Sequence, residues 1–414
     1  MEEKIKQVKE ILQKYEQEHL LLNYDNLSEE KKEELLNQIL QIDFEQMNKL
    51  YESVGKSTQD VNVKIEPISY IEKDTIEENI KQKYFEKGAK ALQEGKLAVV
   101  TMAGGQGTRL GHNGPKGTFY LNVMPEAKSI FELLCETLKR ANEKYNISIP
   151  WYIMTSRENN GDTVKFFEEN SYFNYNKNDI KFFIQGELPM VNTSGKVLLN
   201  EEGTIKLAAD GHGGVFESMF KNGIVEDMKK RNIEWIFVGP VDNPLAGMVD
   251  EVLIGLSEEQ NSMSAGKSLV KANPSEKVGV FCLKNGKPSV VEYTEISDEM
   301  ANRLDENGSL VFGESHINCN MFNIKGIEKI GAEKLPYHVA FKKAAYMNEN
   351  GEIITPDKPN AYKFESFIFD AFEKLDNMTI LRVKREEEFA PVKNAEGTDS
   401  PETAIKLYNA YHSN

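Results

Sequence analysis

The sequence has little cysteine, no long apolar run and no excess of basic charge, and each shortage removes a class of protein. Its three cysteines among 414 residues, Cys135, Cys282 and Cys319, stand far apart, with no CxxC pair and no histidine cluster beside them. An odd, scattered set supports neither a disulfide framework nor a zinc site, and reduced, cytosolic thiols are the simple expectation. No stretch approaches the roughly 20 apolar residues that cross a bilayer. The opening MEEKIKQVKE carries charge where a signal peptide needs an apolar core. The expectation is a cytoplasmic protein with no membrane partner. A net charge of −16 gives no long-range attraction for a nucleic-acid polymer, so any phosphate must be bound locally. No internal repeat is evident, and the length allows a sizeable core and two or three domains.

What is present is concentrated between Leu97 and Tyr120, LAVVTMAGGQGTRLGHNGPKGTFY. A short run with β-branched residues, Ala98 to Thr101, predicts a buried parallel strand, and the glycine-rich loop leaves its C-terminal end, where nucleotides bind in α/β sheets. Gly104, Gly105, Gly107 and Gly111 let backbone amides approach a polyphosphate, while Arg109 and Lys116 add donors that match phosphate oxygens. Two commoner glycine loops fail on spacing. Leu110 stands where the dinucleotide fingerprint counted from Gly105 needs glycine, which also removes an NAD-dependent oxidoreductase. The P-loop needs a glycine five residues before its Gly-Lys, and here Lys116 follows Pro115. The plain alternative is a tight turn without a ligand.

AGGQGTRLG followed by PKG resembles the signature of the eukaryotic-type UDP-sugar pyrophosphorylase family, and the UDP-N-acetylglucosamine pyrophosphorylases most closely. Further segments resemble it in the same order: WYIMTS from Trp151, FIQG from Phe183, DGHGG from Asp210, VDN from Val241, VEYTEI from Val291, HVAFKK from His338 and FAPVKN from Phe389. The resemblance spans about residues 95 to 400. It implies an enzyme that joins UTP to a sugar 1-phosphate, with Mg²⁺, releasing pyrophosphate and a UDP-sugar. N-acetylglucosamine 1-phosphate is the expected acceptor, and glucose or galactose 1-phosphate is the alternative. A catalytically silent nucleotide-sugar-binding protein is the alternative of another class, but retaining Arg109, Lys116, Asp242 and Lys393 together argues against it.

The implied fold is α/β, a Rossmann-like nucleotidyltransferase of the GT-A kind with a mixed sheet flanked by helices. Around it are expected an N-terminal helical region over 1–95, a catalytic domain over 96–345 and a C-terminal segment over 346–414 that completes the active site. Apolar spacing predicts amphipathic helices over 2–20 and 29–54, with solvated outer faces, and a third from a Thr75/Glu78 capping box to Gly95. A helix capped by Ser129 and Glu132 follows, and Trp151–Met154, 181–184, 234–238 and 380–383 read as strands. Asn285-Gly286 predicts a hairpin turn between 278–283 and 290–296. Family members are expected to continue well past Lys393, so any role of such an extension is not carried over.

The resemblance also implies roles for particular residues, each with a plainer alternative. Ala103, Gly104, Gly105, Gly107 and Gly211 would cradle the nucleotide, although Gly211 and Gly213-Gly214 also suit a flexible turn. Gln185, whose amide offers both a donor and an acceptor, would read the uracil edge; otherwise it ends a strand. Asp242, after an apolar strand, would hold Mg²⁺, or else cap a turn between prolines. Arg109, Lys116 and Lys393 would carry the catalytic positive charge. Glu292, Lys363, His212 and Asn318 would meet the sugar, Asn318 from a loosely matching segment, whereas Lys342 and Lys343 suit a solvated face equally well. His212 stands where N-acetylglucosamine enzymes usually show asparagine and is more like the glucose and broad UDP-sugar enzymes.

Overall fold

A computed structural model of the chain describes residues 2–55 and 63–413. Packing divides them into a larger unit of 63–185, 215–334 and 368–413 and a smaller one of 2–55, 186–214 and 335–367. Each is discontinuous in sequence.

The larger unit is built on one mixed sheet. The run LAVVTM forms β1 (Leu97–Met102), with all six residues buried, as a strand covered on both faces requires. β2 (Trp151–Thr155), β3 (Ile180–Ile184) and β4 (Trp235–Pro240) lie where the apolar runs predict them. β5 (Ser264–Val270), β6 (Val280–Lys284), β7 (Lys287–Val291), β8 (Glu314–Asn323) and β9 (Met378–Arg382) follow. From one edge the order is Ile71–Glu72, β9, β5, β8, β4, β1, β2, β3, and all neighbours are parallel except β8, which opposes both β4 and β5. Met102 pairs with Pro240, so the loops leaving β1 and β4 start side by side.

Three helices of this unit show how local sequence chemistry fares. α1 (Glu78–Gln93) starts later than predicted: the Thr75 hydroxyl donates to the Glu72 carbonyl at 3.1 Å in a separate 3₁₀ turn, so the expected capping box does not form. α2 (Ile130–Tyr145) is capped as expected, the Glu132 amide donating to Ser129 Oγ at 3.2 Å, and ends on Asn146 in the left-handed region. α3 (Glu251–Glu259) crosses α1 at two glycines. A Cβ on Gly88 would stand 2.0 Å from the Glu251 carbonyl oxygen, and one on Gly255 1.9 Å from that of Tyr84.

The predicted turn joins β6 to β7, with Asn285 and Gly286 at φ of 50° and 78°, the signs a type I′ turn needs. β7 stops at Val291, short of the predicted Ile296. The Glu295 and Ile296 amides donate to the Glu292 carbonyl instead, at 2.9 and 3.1 Å, so Glu292 opens a turn beyond the hairpin.

In the smaller unit the N-terminal helices are Glu2–Lys14, Glu29–Gln41 and Phe44–Glu52. The single helix predicted over 29–54 is therefore two. Ile42 is extended, and Asp43 starts the second helix by accepting the Gln46 amide at 2.9 Å. The first helix ends at Lys14, before a left-handed Glu16, rather than reaching residue 20. Val8, Leu12, Leu36, Ile39 and Met47 pack with Val191, Leu199, Ile205 and Phe364, so the apolar stripes are covered within this unit. A small antiparallel sheet, His338–Lys342 beside Ala361–Glu365 beside Val191–Asn192, completes it.

Candidate active site

The glycine loop leaving β1 is held in shape by its own backbone. The Lys116 amide donates to the Gly105 carbonyl at 3.1 Å, and the Gly107 amide to that of Gly114 at 2.9 Å. Below it, Asn159, fully buried after β2, donates through Nδ2 to the carbonyls of Ala103 and Gly105 at 3.0 and 3.4 Å. Sequence reading missed Asn159. Its only signal is a place just beyond the WYIMTS segment, because its anchoring role depends on a loop more than 50 residues away. Gly104 lies against Gln185: a Cβ there would stand 2.6 Å from Oε1 of that side chain. Gly105 is exposed, with nothing within 4 Å of the position its Cβ would take.

Lys116 reaches from the end of this loop to the loop after β4. Its Nζ lies 3.3 Å from Asp242 Oδ2, and the side chains are 17 and 18 % exposed, so the pair is sheltered and yet reachable from solvent. Arg109 sits in the 3₁₀ turn Thr108–Leu110, exposed and in no ion pair among the described residues. The Asp242 carbonyl accepts the Val392 amide at 2.8 Å, which sets the Lys393 segment beside the Asp242 loop. The Lys393 ammonium lies 3.5 Å from Asp399 and 5.3 Å above the Phe389 ring. Among the described residues no three His, Cys, Asp or Glu gather around a metal position. Asp242 is thus a single carboxylate beside a glycine cradle. That donor set fits a hard Mg²⁺ that keeps most of its waters and draws further ligands from phosphates, and does not fit a caged ion.

Beneath these loops lies a buried ionic cluster that sequence reading also missed. Lys267 in β5 is wholly buried and donates to Glu388 Oε1 at 2.7 Å, to the Gly247 carbonyl at 2.9 Å and to Asp250 Oδ2 at 3.0 Å; Lys73 reaches Asp250 at 2.8 Å. Burial alone would push the Lys267 ammonium down, but Asp250 and Glu388 more than reverse this and hold it above its ordinary value. Burial likewise works against the Asp250 carboxylate, which Lys267 and Lys73 keep below the usual range.

The residues expected at the sugar are divided between the units. In the larger, Asn318 sits at φ 60° in a bulge of β8, where the pairing with β5 slips between Gly266 and Ser268, and Asn320 Nδ2 donates to its Oδ1 at 3.3 Å. Glu292 Oε1 stands 3.1 Å from where a Cβ on Gly279 would lie. In the smaller, Gly211 has φ +88°, and a Cβ there would meet the Ser366 carbonyl oxygen at 2.2 Å, while one on Gly213 would meet the Phe367 backbone at 2.7 Å. These glycines admit the protein's own backbone. The His212 ring lies 5.3 Å from that of Phe367, which stacks on His338 at 4.6 Å. Lys363 is paired with Glu365 at 2.7 Å, and Lys342 and Lys343 are exposed.

A mixed sheet with a glycine cradle, a lysine and a carboxylate at the ends of adjacent parallel strands defines a nucleotide-handling class, and comparison with known proteins agrees. The model of the UTP–glucose-1-phosphate uridylyltransferase family matches residues 43–399, and the chain belongs to this family of nucleotidyltransferases. It is 35% identical to the UDP-N-acetylglucosamine pyrophosphorylase of Saccharomyces cerevisiae over 95% of this chain and 87% of that one. Its fold is similar to a crystal structure of the uridine diphosphate N-acetylglucosamine pyrophosphorylase of Trypanosoma brucei, with a TM-score of 0.85 at 29% identity, over 98% of this chain and 84% of that one. A UDP-glucose phosphorylase structure from the same organism, at 17% identity and a TM-score of 0.66 over 90 and 76% of the two chains, shares the fold alone. No helix of the described residues is long and apolar enough to cross a membrane.

Proposed function

We propose that the protein transfers the uridylyl group of UTP to a sugar 1-phosphate, N-acetylglucosamine 1-phosphate being the favoured acceptor, and releases pyrophosphate. The observation that carries this reading is the Lys116–Asp242 pair beside the open glycine loop, at the paired ends of β1 and β4. In the reaction an oxygen of the sugar phosphate forms a bond to the α-phosphorus of UTP while the bond from that phosphorus to the bridging oxygen breaks, and pyrophosphate leaves with the electron pair. No protein nucleophile is needed, so the residues' work is to align the two phosphates and stabilise charge. The amides of Gly104 and Gly105, with Arg109, Lys116 and Lys393, suit that task, since charge-assisted hydrogen bonds strengthen as charge moves toward the leaving group. Asp242 would hold Mg²⁺, which when bound neutralises phosphate charge. Gln185, beside Gly104, would read uracil, and Glu292, Asn318, His212 and Lys363 would meet the sugar. The three free, buried cysteines support a cytosolic setting for this chemistry.

The acceptor is favoured by the relatives named for N-acetylglucosamine at 34–36% identity. A glucose or galactose acceptor is the second reading, favoured by His212. A pyrophosphate-release assay with UTP, ATP, GTP and dTTP against a panel of sugar 1-phosphates tests both: equal turnover with ATP would defeat the uridylyl assignment. His212→Asn is expected to shift the N-acetylglucosamine to glucose ratio by roughly 5- to 150-fold, the worth of one hydrogen bond made or left unmade. An unchanged ratio removes His212 from the sugar site.

A further inference from the structure

The loop after β4 and the segment before Lys393 are stitched together from several directions. Asn243, 1 % exposed, uses its whole side-chain amide for this: Nδ2 donates to the Glu388 carbonyl at 2.7 Å, and Oδ1 accepts the Ala390 amide at 2.9 Å and the Leu245 amide at 3.3 Å. On one side of it the Asp242 carbonyl takes the Val392 amide; on the other, Glu388 Oε2 takes the Gly247 amide at 2.9 Å while Oε1 is gripped by Lys267. The stretch from Phe389 to Ser400 belongs to no helix or strand; the Lys393 and Asn394 amides close it on itself by donating to the Asp399 carbonyl at 2.7 and 3.0 Å, and the bonds above tie it to the Asp242 loop.

The character of the cluster argues for geometry over bulk stability. Burying Lys267 with Asp250 and Glu388 costs desolvation comparable to the attraction recovered, and well-packed apolar side chains would stabilise a core at least as well. What apolar packing cannot do is fix one backbone register between two loops. The bonds of Asn243 and Glu388 do that at the two loops that carry Asp242 and Lys393.

We propose that Asn243, braced by the Lys267–Glu388 ion pair, is a positioning residue for uridylyl transfer, holding the Lys393 segment in register with the Asp242 loop. This rests on the functional reading given above. Asn243 touches no reacting atom, and its effect passes through Lys393. A double-mutant cycle separates that from a general loss of stability. Asn243→Ala is expected to lower kcat/KM by roughly 10², and Asn243→Ala combined with Lys393→Ala to fall within twofold of Lys393→Ala alone. Losses that multiply, or a loss below threefold for Asn243→Ala, would overturn the proposal. Should Asn243→Ala fail to fold, Asn243→Asp, which keeps both acceptor bonds and sets a carboxylate oxygen against the Glu388 carbonyl in place of the donor, carries the same cycle and the same criteria. Hydrogen exchange provides a readout independent of activity. The amides of Ala390 and Val392 are expected to be protected in the wild type and to exchange freely in the variant, while the strands of the sheet keep their protection. Unchanged protection at those two amides counts against the proposal even if the wild type shows no transferase activity, an outcome that would sink the functional reading alone.

Discussion

Two glycine-rich stretches that look alike in the sequence, GGQG at 104–107 and GHGG at 211–214, differ in what surrounds their glycines: a Cβ on Gly104 or Gly107 would first meet side chains, those of Gln185 and His112, and one on Gly105 nothing at all. At Gly105 a side chain would point into open space, so the fold itself does not demand glycine there. At Gly211 and Gly213 it would run into backbone atoms of Ser366 and Phe367. Absence of a Cβ therefore leaves open space at Gly105, where the proposed function puts a phosphate, and admits the protein's own chain at Gly211 and Gly213. Space around the missing methyl, which no motif records, tells the two apart.

That contrast can be broken by substitution. The largest effect is expected behind the open loop. Lys116→Ala should lower kcat/KM by roughly 10² or more, and Asp242→Asn should remove turnover at any Mg²⁺ concentration, with Tm nearly unchanged in both. A loss below about threefold in the Lys116 variant would return that residue to an ordinary sheltered ion pair. Next, Gly213→Ala should destabilise the protein by about 1–3 kcal/mol, because backbone must shift to admit the methyl. A melting curve that matches wild type would show that the approach to Phe367 is looser than 2.7 Å. Gly105→Ala should do the reverse, leaving Tm in place and costing about tenfold in kcat/KM, roughly 1.4 kcal/mol of transition-state stabilisation. If activity survives intact, no phosphate comes near Gly105. The smallest effect should be that of Gly104→Ala. The displaced group there is the flexible end of Gln185, so the fold should hold while the preference for UTP over ATP narrows severalfold; an undiminished preference would take Gln185 off the uracil.

Much of the sheet was legible because its strands include short apolar runs such as LAVVTM and WYIMT, and the helix after Ser129 because capping chemistry is local. What was not legible is non-local. Apolar spacing passes through Ile42 and Asp43 without a break, so the split between the two helices appears only once Asp43 is seen accepting the Gln46 amide. Thr75 and Glu78 carry a capping pattern that the 3₁₀ turn at Lys73–Thr75 pre-empts. The β8 bulge at Asn318 is a slip of register against β5, a property of two strands that neither shows alone. Asn159, Asn243 and Lys267 are the strongest case. Each is a polar residue in a stretch that reads as loop or strand, and each draws its importance from burial among partners distant in sequence. The glycine loop and Asp242 could be picked out from their residues. The scaffold that aims them could not.

The order of the sheet also bears on how the chain reaches this state. Ile71–Glu72 lies at one edge and, among the described residues, pairs only with β9, the register matching Ile71 with Leu381 and Glu72 with Arg382, while β5 depends on the same β9 for its second neighbour. During synthesis from the N-terminus, β1 to β4 emerge long before that last strand. Until it arrives, one side of β5, buried in the finished protein from Ser264 to Leu269, has an open row of amides and carbonyls. Closing so distant a pairing is slow, and an unpaired apolar strand invites other chains. The same strand that completes the sheet therefore sets the interval during which a newly made molecule is most exposed to aggregation.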